Sequence, residues 1–271
     1  MPLDDSVLMP LLRAALDSRK LALHYQGQSR GVDLAACGVE ALLRWDAAGL
    51  GTLAAAQFLP AARRAGLLPE ISRWVMRTAC LQNRRWQEQG LPAVPVVVNL
   101  PLSLLLQPGF ADQVPGILAQ AHLEADKLEL DVSIDADAHE GLAAVEALRR
   151  LRATGVRLCL DDFGNGAGCL RWLRRDIFDG IKIGAPYVDG LPDDLHASQL
   201  MRGIVRLARS LGLRVGAKHI DSRRQLNAVR EMRCDTVQGF HLGGPAAPEE
   251  TARWLRAHRA PVRSRRMAGG Y

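Results

Sequence analysis

Short apolar runs of β type alternate with helical periodicities from about residue 20 to about residue 256. The runs fall at 21–25, 94–98, 127–132, 156–160, 179–183, 213–217 and 235–237. Between them, Leu200, Ile204, Leu207 and Leu211 stand at i, i+4, i+7 and i+11, and Gly212 supplies a stop. Ile71, Trp74, Val75, Thr78 and Leu81 mark a second apolar helix face, closed by Gly90-Leu91-Pro92. Repeated strand–helix units predict a parallel sheet covered by helices, an α/β fold. The chain has 271 residues, close to the roughly 250 of one (β/α)8 TIM-type barrel. No low-complexity linker divides it. The reading is an N-terminal extension over 1–17, one barrel domain over 18–256 and a basic, flexible tail over 257–271.

The polar residues that follow the apolar runs change the picture. Val96-Val97-Val98 ends in Asn99, and Leu128-Glu129-Leu130 ends in Asp131. Leu158-Cys159-Leu160 ends in Asp161-Asp162, and Gly180-Ile181 precedes Lys182. Val215-Gly216-Ala217 ends in Lys218, and Thr236-Val237 ends in Gln238. A single polar residue at such a place is usually the start of a loop. Six successive ones are better explained by a barrel, whose strand ends gather around one mouth where active sites lie.

Composition adds less. The net charge is +6, with Arg253, Arg256, Arg259, Arg263, Arg265 and Arg266 concentrated in the last stretch. A basic balance favours anionic partners only weakly when the charge sits in a solvated end. No motif for reading DNA or RNA is present. The five cysteines are odd in number and lack metal-ligand spacing, which predicts reduced thiols and a cytoplasmic protein. No secretory signal opens the chain, and no apolar run approaches the ~20 residues that span a bilayer.

The segment Val39-Glu40-Ala41-Leu42-Leu43-Arg44-Trp45 resembles the signature of EAL domains, the bacterial cyclic di-GMP phosphodiesterases. The tripeptide alone carries no weight; the ordered set does. It comprises Leu23-His24-Tyr25-Gln26, Glu40-Ala41-Leu42, Val98-Asn99-Leu100, Leu128-Glu129-Leu130, Asp161-Asp162-Phe163-Gly164, Ile181-Lys182-Ile183 and Val237-Gln238-Gly239-Phe240. The resemblance covers about residues 18 to 250. Asp162-Phe163-Gly164 also looks like a kinase metal-binding triplet, but no glycine-rich loop or His-Arg-Asp loop accompanies it. The resemblance implies a modified barrel with one antiparallel strand and a signalling role. It places Glu40, Asn99, Asp131, Asp161 and Asp162 at positions that ligate Mg²⁺ or Mn²⁺. It puts Lys182 near the attacking water or the phosphate, and Gln238 on the water network. It turns Gln26, Glu40, Leu42, Arg44, Asp161 and Gln238 toward the nucleotide.

The pattern also breaks. The resembled family carries a glutamate, as metal ligand or general base, where this chain has Lys218 in Ala217-Lys218-His219-Ile220-Asp221. Its Glu-x-Thr-Glu reads Asp131-Val132-Ser133-Ile134, which shortens one acid and removes the other, with Asp135 one residue further on. The loop after the double aspartate reads Asn165-Gly166-Ala167-Gly168-Cys169 and has lost its hydroxyls. Gly27 and Pro101 replace a proline and a serine. These departures point to a degenerate domain, inactive or strongly impaired, that acts as a cyclic di-GMP receptor engaging a regulatory protein. The alternatives are a ligand-independent interaction module and a still-active phosphodiesterase in which Asp221 or Asp135 takes over. No membrane or nucleic-acid partner is expected. The resemblance implies a homodimer through the region after the double aspartate, and the apolar Cys169, Leu170, Trp172 and Leu173 there leave open that or an ordinary core-facing stripe.

Overall fold

The computed structural model describes residues 5–17, 20–47, 49–134, 141–164 and 169–260. Helix α1 (Asp5–Asp17) precedes a long hairpin of β1 (Leu21–Arg30) and β2 (Ala36–Ala47), followed by the short β3 (Gly51–Ala54). The chain then continues through α2 (Ala55–Arg64), α3 (Leu68–Glu88), β4 (Val96–Pro101), α4 (Leu102–Leu105), α5 (Val114–Ala121) and β5 (Leu128–Ser133). Next come α6 (Leu142–Ala153), β6 (Arg157–Leu160), α7 (Cys169–Leu173), β7 (Gly180–Ile183), α8 (Ala185–Val188) and α9 (Leu195–Ser210). The chain closes with β8 (Arg214–Ala217), α10 (Arg223–Glu231), β9 (Thr236–Val237) and α11 (Pro248–Ala257).

Eight strands close on themselves in the order β1, β9, β8, β7, β6, β5, β4, β2, and β1 pairs back to β2. Strand β1 runs antiparallel to both neighbours, β2 and β9. All other pairings around the ring are parallel. Strand β3 extends β2 outside the ring as a hairpin arm. The fold is therefore an α/β barrel of TIM type with one reversed strand, as the sequence reading expected. Closure leaves no edge among the ring strands. The ring strands are covered on their outer side by helices, so β4 reads Val96-Val97-Val98 with all three buried.

The strand that carries the Glu-Ala-Leu segment escaped the apolar-run reading. Strand β2 alternates Glu40, Leu42 and Arg44 with Val39, Ala41, Leu43 and Trp45. Charged residues on one face break the run, and the long antiparallel pairing with β1 holds it extended instead.

Helices α3 and α9 form where their periodicity places them, and Gly90 and Gly212 follow with φ of 69° and 74°. The residues packed on the barrel depart from the leucine series in α9 and largely follow the predicted face in α3. In α9 the buried residues are Ser198, Met201, Val205 and Ala208. Leu200, Leu207 and Leu211 are exposed. The barrel wall takes the Met201, Val205 and Ala208 face, and Ile204 packs partly buried at its margin. In α3, Ile71 and Val75 are buried as expected, Trp74 and Thr78 are half-buried, and Leu81 is exposed. In α7, Cys169 and Trp172 are buried while Leu170 is exposed. Among the described residues no helix is long and apolar enough to cross a membrane, and all five cysteines are free thiols.

Candidate functional site

The polar strand ends meet at one mouth. Glu40 is its hub on the β1–β2 side. The Asn99 amide donates to Glu40 Oε1 at 2.7 Å, and Gln238 Nε2 donates to the other carboxylate oxygen. The same Gln238 amide lies 3.0 Å from Gln26 Oε1, and Gln28 donates to Gln238 Oε1 at 2.8 Å. Gln26 in turn donates to the Gly243 carbonyl. Gln26, Gln28, Glu40 and Gln238 are all buried, and this chain of amides is satisfied internally.

Two lysines sit opposite, each between two carboxylates. Lys182 on β7 is 2.7 Å from both oxygens of Asp131 and 2.9 Å from Glu129 Oε1. Arg214 closes the far side of Glu129 at 3.0 Å. Burial alone would raise the Glu129 carboxyl; the Lys182 and Arg214 charges overrule it and bring it down to about 2. Asp131 is pushed up by complete burial despite Lys182, with Asp161, Glu129 and Glu40 adding to the effect. Lys182 is driven upward, because the acids around it outweigh its own desolvation.

Lys218, just past β8, lies 2.6 Å from Asp161 Oδ1 and 3.1 Å from Asp162 Oδ1. Burial would lower its pKa; the Asp161 charge and hydrogen bond, with Asp162 and Glu40 behind them, raise it instead. The ammonium therefore keeps its proton, and the position between the paired aspartates is held by a fixed positive charge. The backbone on both sides is strained to present it. Asp162 and His219 have φ of 46° and 60°, a left-handed region that non-glycine residues rarely occupy. Two glycines fit the same turn. A Cβ on Gly184 would meet Asp162 Oδ1 at 2.8 Å, and Gly164 is roofed by the Tyr187 ring, whose hydroxyl donates to the Gly164 carbonyl at 3.1 Å.

Gln26, Glu40, Leu42, Lys218, His219, Asp221, Gln238, Gly239 and Phe240 line a cavity of about 210 Å³ at this mouth. Leu42 also lines a neighbouring, mostly apolar cavity of about 240 Å³ that reaches Asn99 and Pro101. Arg44 stands on the same face of β2 but outside the mouth cavity, half-buried, with Nη1 donating to the Leu43 carbonyl. Asp221 accepts from the Phe240 amide at the cavity edge. Glu129, Asp131 and Cys159 bring their ligand atoms within 4.8 Å of one another, but the Lys182 ammonium already sits on both acids.

The departures from the family pattern separate physically. Ile134 packs partly buried against the hydrophobic core and offers no charge to brace a loop. A Cβ on Gly27 would lie 2.4 Å from the Trp254 ring of α11, so this glycine serves helix packing on the outside of β1. Asp135 and residues 165–168 lie outside the described residues. Of three further residues that hold the site, Glu129 entered the sequence reading only inside a motif and without a role, and Gln28 and Arg214 were not singled out. A period of two would have found the first pair, since Glu129 shares a strand face with Asp131, and Gln28 with Gln26.

The EAL domain family profile matches residues 11–245. The chain is 34% identical over 239 residues to the Pseudomonas aeruginosa protein named bifunctional diguanylate cyclase/cyclic di-GMP phosphodiesterase MucR, covering 88% of this chain and 35% of that one. It is 33% identical over 261 residues to the cyclic di-GMP phosphodiesterase NbdA of the same organism, covering 95% of this chain and 33% of that one. It thus spans about a third of the length of these curated relatives. The solved structure of PaMucR phosphodiesterase in its c-di-GMP complex superposes with a TM-score of 0.85 at 33% identity, over 90% of this chain and 99% of that one.

Proposed function

The chain belongs to the EAL domain family, and from that premise we propose that it binds cyclic di-GMP at the barrel mouth without hydrolysing it and signals to a protein partner. The observation that carries this reading is Lys218, locked on Asp161 and Asp162. EAL phosphodiesterases use divalent metals, which activate water and offset charge on the phosphoryl oxygens. A divalent ion ~4 Å from an ammonium is repelled by on the order of 8 kcal/mol at an effective dielectric of about 20. The donor set, with one lysine on the paired aspartates and another on Asp131, does not fit a pair of such ions. Mg²⁺ or Mn²⁺ chemistry at this mouth would require both lysines to leave their partners. Lys218 also cannot serve as a general base, because its proton is held more tightly than in free lysine.

Binding asks for less. The buried Gln26–Gln238–Glu40 network is already organised, and organised donors lose little entropy on meeting a ligand. Leu42 and exposed Phe240 offer apolar surface beside it. The solved complex of PaMucR with c-di-GMP supports a ligand of this class. Five free thiols suit a reducing compartment such as the cytoplasm.

Calorimetry with cyclic di-GMP, with and without Mg²⁺, tests the reading. The expected result is metal-independent binding; absence of heat at high micromolar ligand would exclude a receptor. That second outcome would favour a ligand-independent interaction module, a reading to which the exposed leucines of α9 also lend support.

A further inference from the structure

A second concave surface lies at the end of the barrel opposite the mouth. There the chain enters β8 and β9 and leaves the reversed β1, and a cavity of about 780 Å³ opens between them. Small-ligand pockets span roughly 300–1,000 Å³. Four arginines line this one: Arg30 at the end of β1, Arg209 in the last turn of α9, Arg230 in the last turn of α10 and Arg233 in the turn into β9. The wall that carries them is tightly laced. The Gly31 amide donates to the Asp235 carbonyl at 2.9 Å, and a Cβ on Gly31 would collide with the Cys234 carbonyl. Arg230 is clamped by the carbonyls of Gly31 at 2.7 Å and Val32 at 3.1 Å, and Arg209 by the Arg233 carbonyl at 2.9 Å. A carbonyl orients a guanidinium without cancelling its charge.

Acids offset part of this charge. Asp33 pairs with Arg30, Asp235 stands 3.6 Å from Arg209, and Glu231 lines the same cavity. Four arginines against these three acids leave one positive charge over. Arg230 and Arg233 have no carboxylate partner among the described residues. Arg233 is exposed, and its φ of 64° is the left-handed conformation that glycine usually takes after a helix. Basic residues in a last turn ordinarily answer the helix dipole. That accounts for Arg209 and Arg230, but not for an arginine held beyond the helix at a glycine-type position. Guanidinium forks match phosphate oxygens in shape and charge, and the Asn227 amide adds a neutral donor. Among the described residues no aromatic ring lines the cavity, so a base would find nothing to stack on. We propose that this cavity binds the phosphate chain of a small polyphosphate, free or carried by a nucleotide, at a site separate from the mouth. It stands or falls without reference to cyclic di-GMP.

The test is calorimetry of the full chain in metal-free buffer with inorganic triphosphate, GTP and inorganic phosphate. Triphosphate is expected to bind in the micromolar range and more weakly at high salt, with inorganic phosphate about tenfold weaker or worse. GTP equal to triphosphate would make the phosphate chain the whole determinant, and GTP binding tighter would make the ligand a nucleotide; both support the site. Arg233→Gly removes the charge and the left-handed strain together. It should weaken triphosphate by about tenfold or more, leave the cyclic di-GMP titration unchanged, and hold or raise the melting temperature. Lys218→Met, at the mouth, should leave triphosphate binding as it was. No heat at millimolar triphosphate would overturn the proposal. So would full affinity in Arg233→Gly, or loss of triphosphate binding in Lys218→Met. Because cyclic di-GMP is titrated separately, loss of the receptor reading is distinguishable from loss of this one.

Discussion

Lys182 and Lys218 are built alike and placed differently. Each ammonium bridges two carboxylates at hydrogen-bond distance. Around Lys182 every group is enclosed, with side-chain exposures of 5%, 4% and 0% for Lys182, Glu129 and Asp131. Around Lys218 the enclosure fails on one side, since Asp162 is 47% exposed. The first cluster is part of the barrel's interior, where an unpaired charge is costly whichever partner is removed. The second lies at the rim, where water and ligands can replace a partner. The same pair of residue types thus acts as a strut in one place and as a plug in the other.

The largest effect expected is on the strut. Lys182→Met strands the buried Asp131, leaves Glu129 with Arg214 alone, and should cost about 3–5 kcal/mol in denaturant unfolding, whereas Lys218→Met should cost clearly less. Equal losses would erase the distinction between the two clusters.

Lys218→Glu turns the plug into a third acid beside Asp161 and Asp162. The variant should be destabilised in chelator and should recover with Mn²⁺, its melting temperature rising by ~4 °C or more while the parent's does not move. If it also gains hydrolysis of cyclic di-GMP, the lysine is the principal lesion. If it binds metal without cutting, the shortened Asp131 and its lysine share the blame.

A smaller effect lies in the acid limb of stability. Glu129 is held near 2 in the fold against 4.5 when free, so its pairing contributes fully above about pH 4.5 and is lost as pH falls toward 2. Asp131, pushed up, works in the opposite sense. The readout is therefore the difference between parent and Glu129→Gln, which should be flatter by about one proton over that window in pH-dependent urea unfolding. Identical slopes would show that Glu129 is not ionised in the cluster.

The smallest effect is on the outer face of α9. Leu207→Gln should change stability by no more than ~0.5 kcal/mol, because Leu207 is exposed and stands outside the buried set of Met201, Val205 and Ala208. A loss of several kcal/mol would mean that the leucine stripe, not Met201 and Val205, faces the barrel.

Much of this was legible in the sequence. Polar residues ending successive apolar runs located the mouth, because parallel barrel strands all deliver their carboxyl ends to one side. The Glu40–Arg44 strand was not legible as a strand, since its charged face interrupts the apolar run that marks the others. The α9 stripe was legible as helix but not as an outward face, because periodicity reports two apolar sides equally and only packing chooses between them. The role of Lys218 was half legible. The sequence shows a cation where an acid is expected, and burial alone suggests a lowered pKa. The opposite direction depends on Asp161 and Asp162 converging on one atom across 56 and more residues of chain, which no local pattern encodes.

One measurement bears most directly on the central claim, that a protonated lysine on the paired aspartates leaves a mouth that holds cyclic di-GMP and does not cut it. The purified chain is incubated with cyclic di-GMP and excess Mn²⁺, and the nucleotide is resolved by chromatography over time. The account predicts bound but intact cyclic dinucleotide after many hours. Linear product accumulating at an ordinary enzyme rate would contradict it.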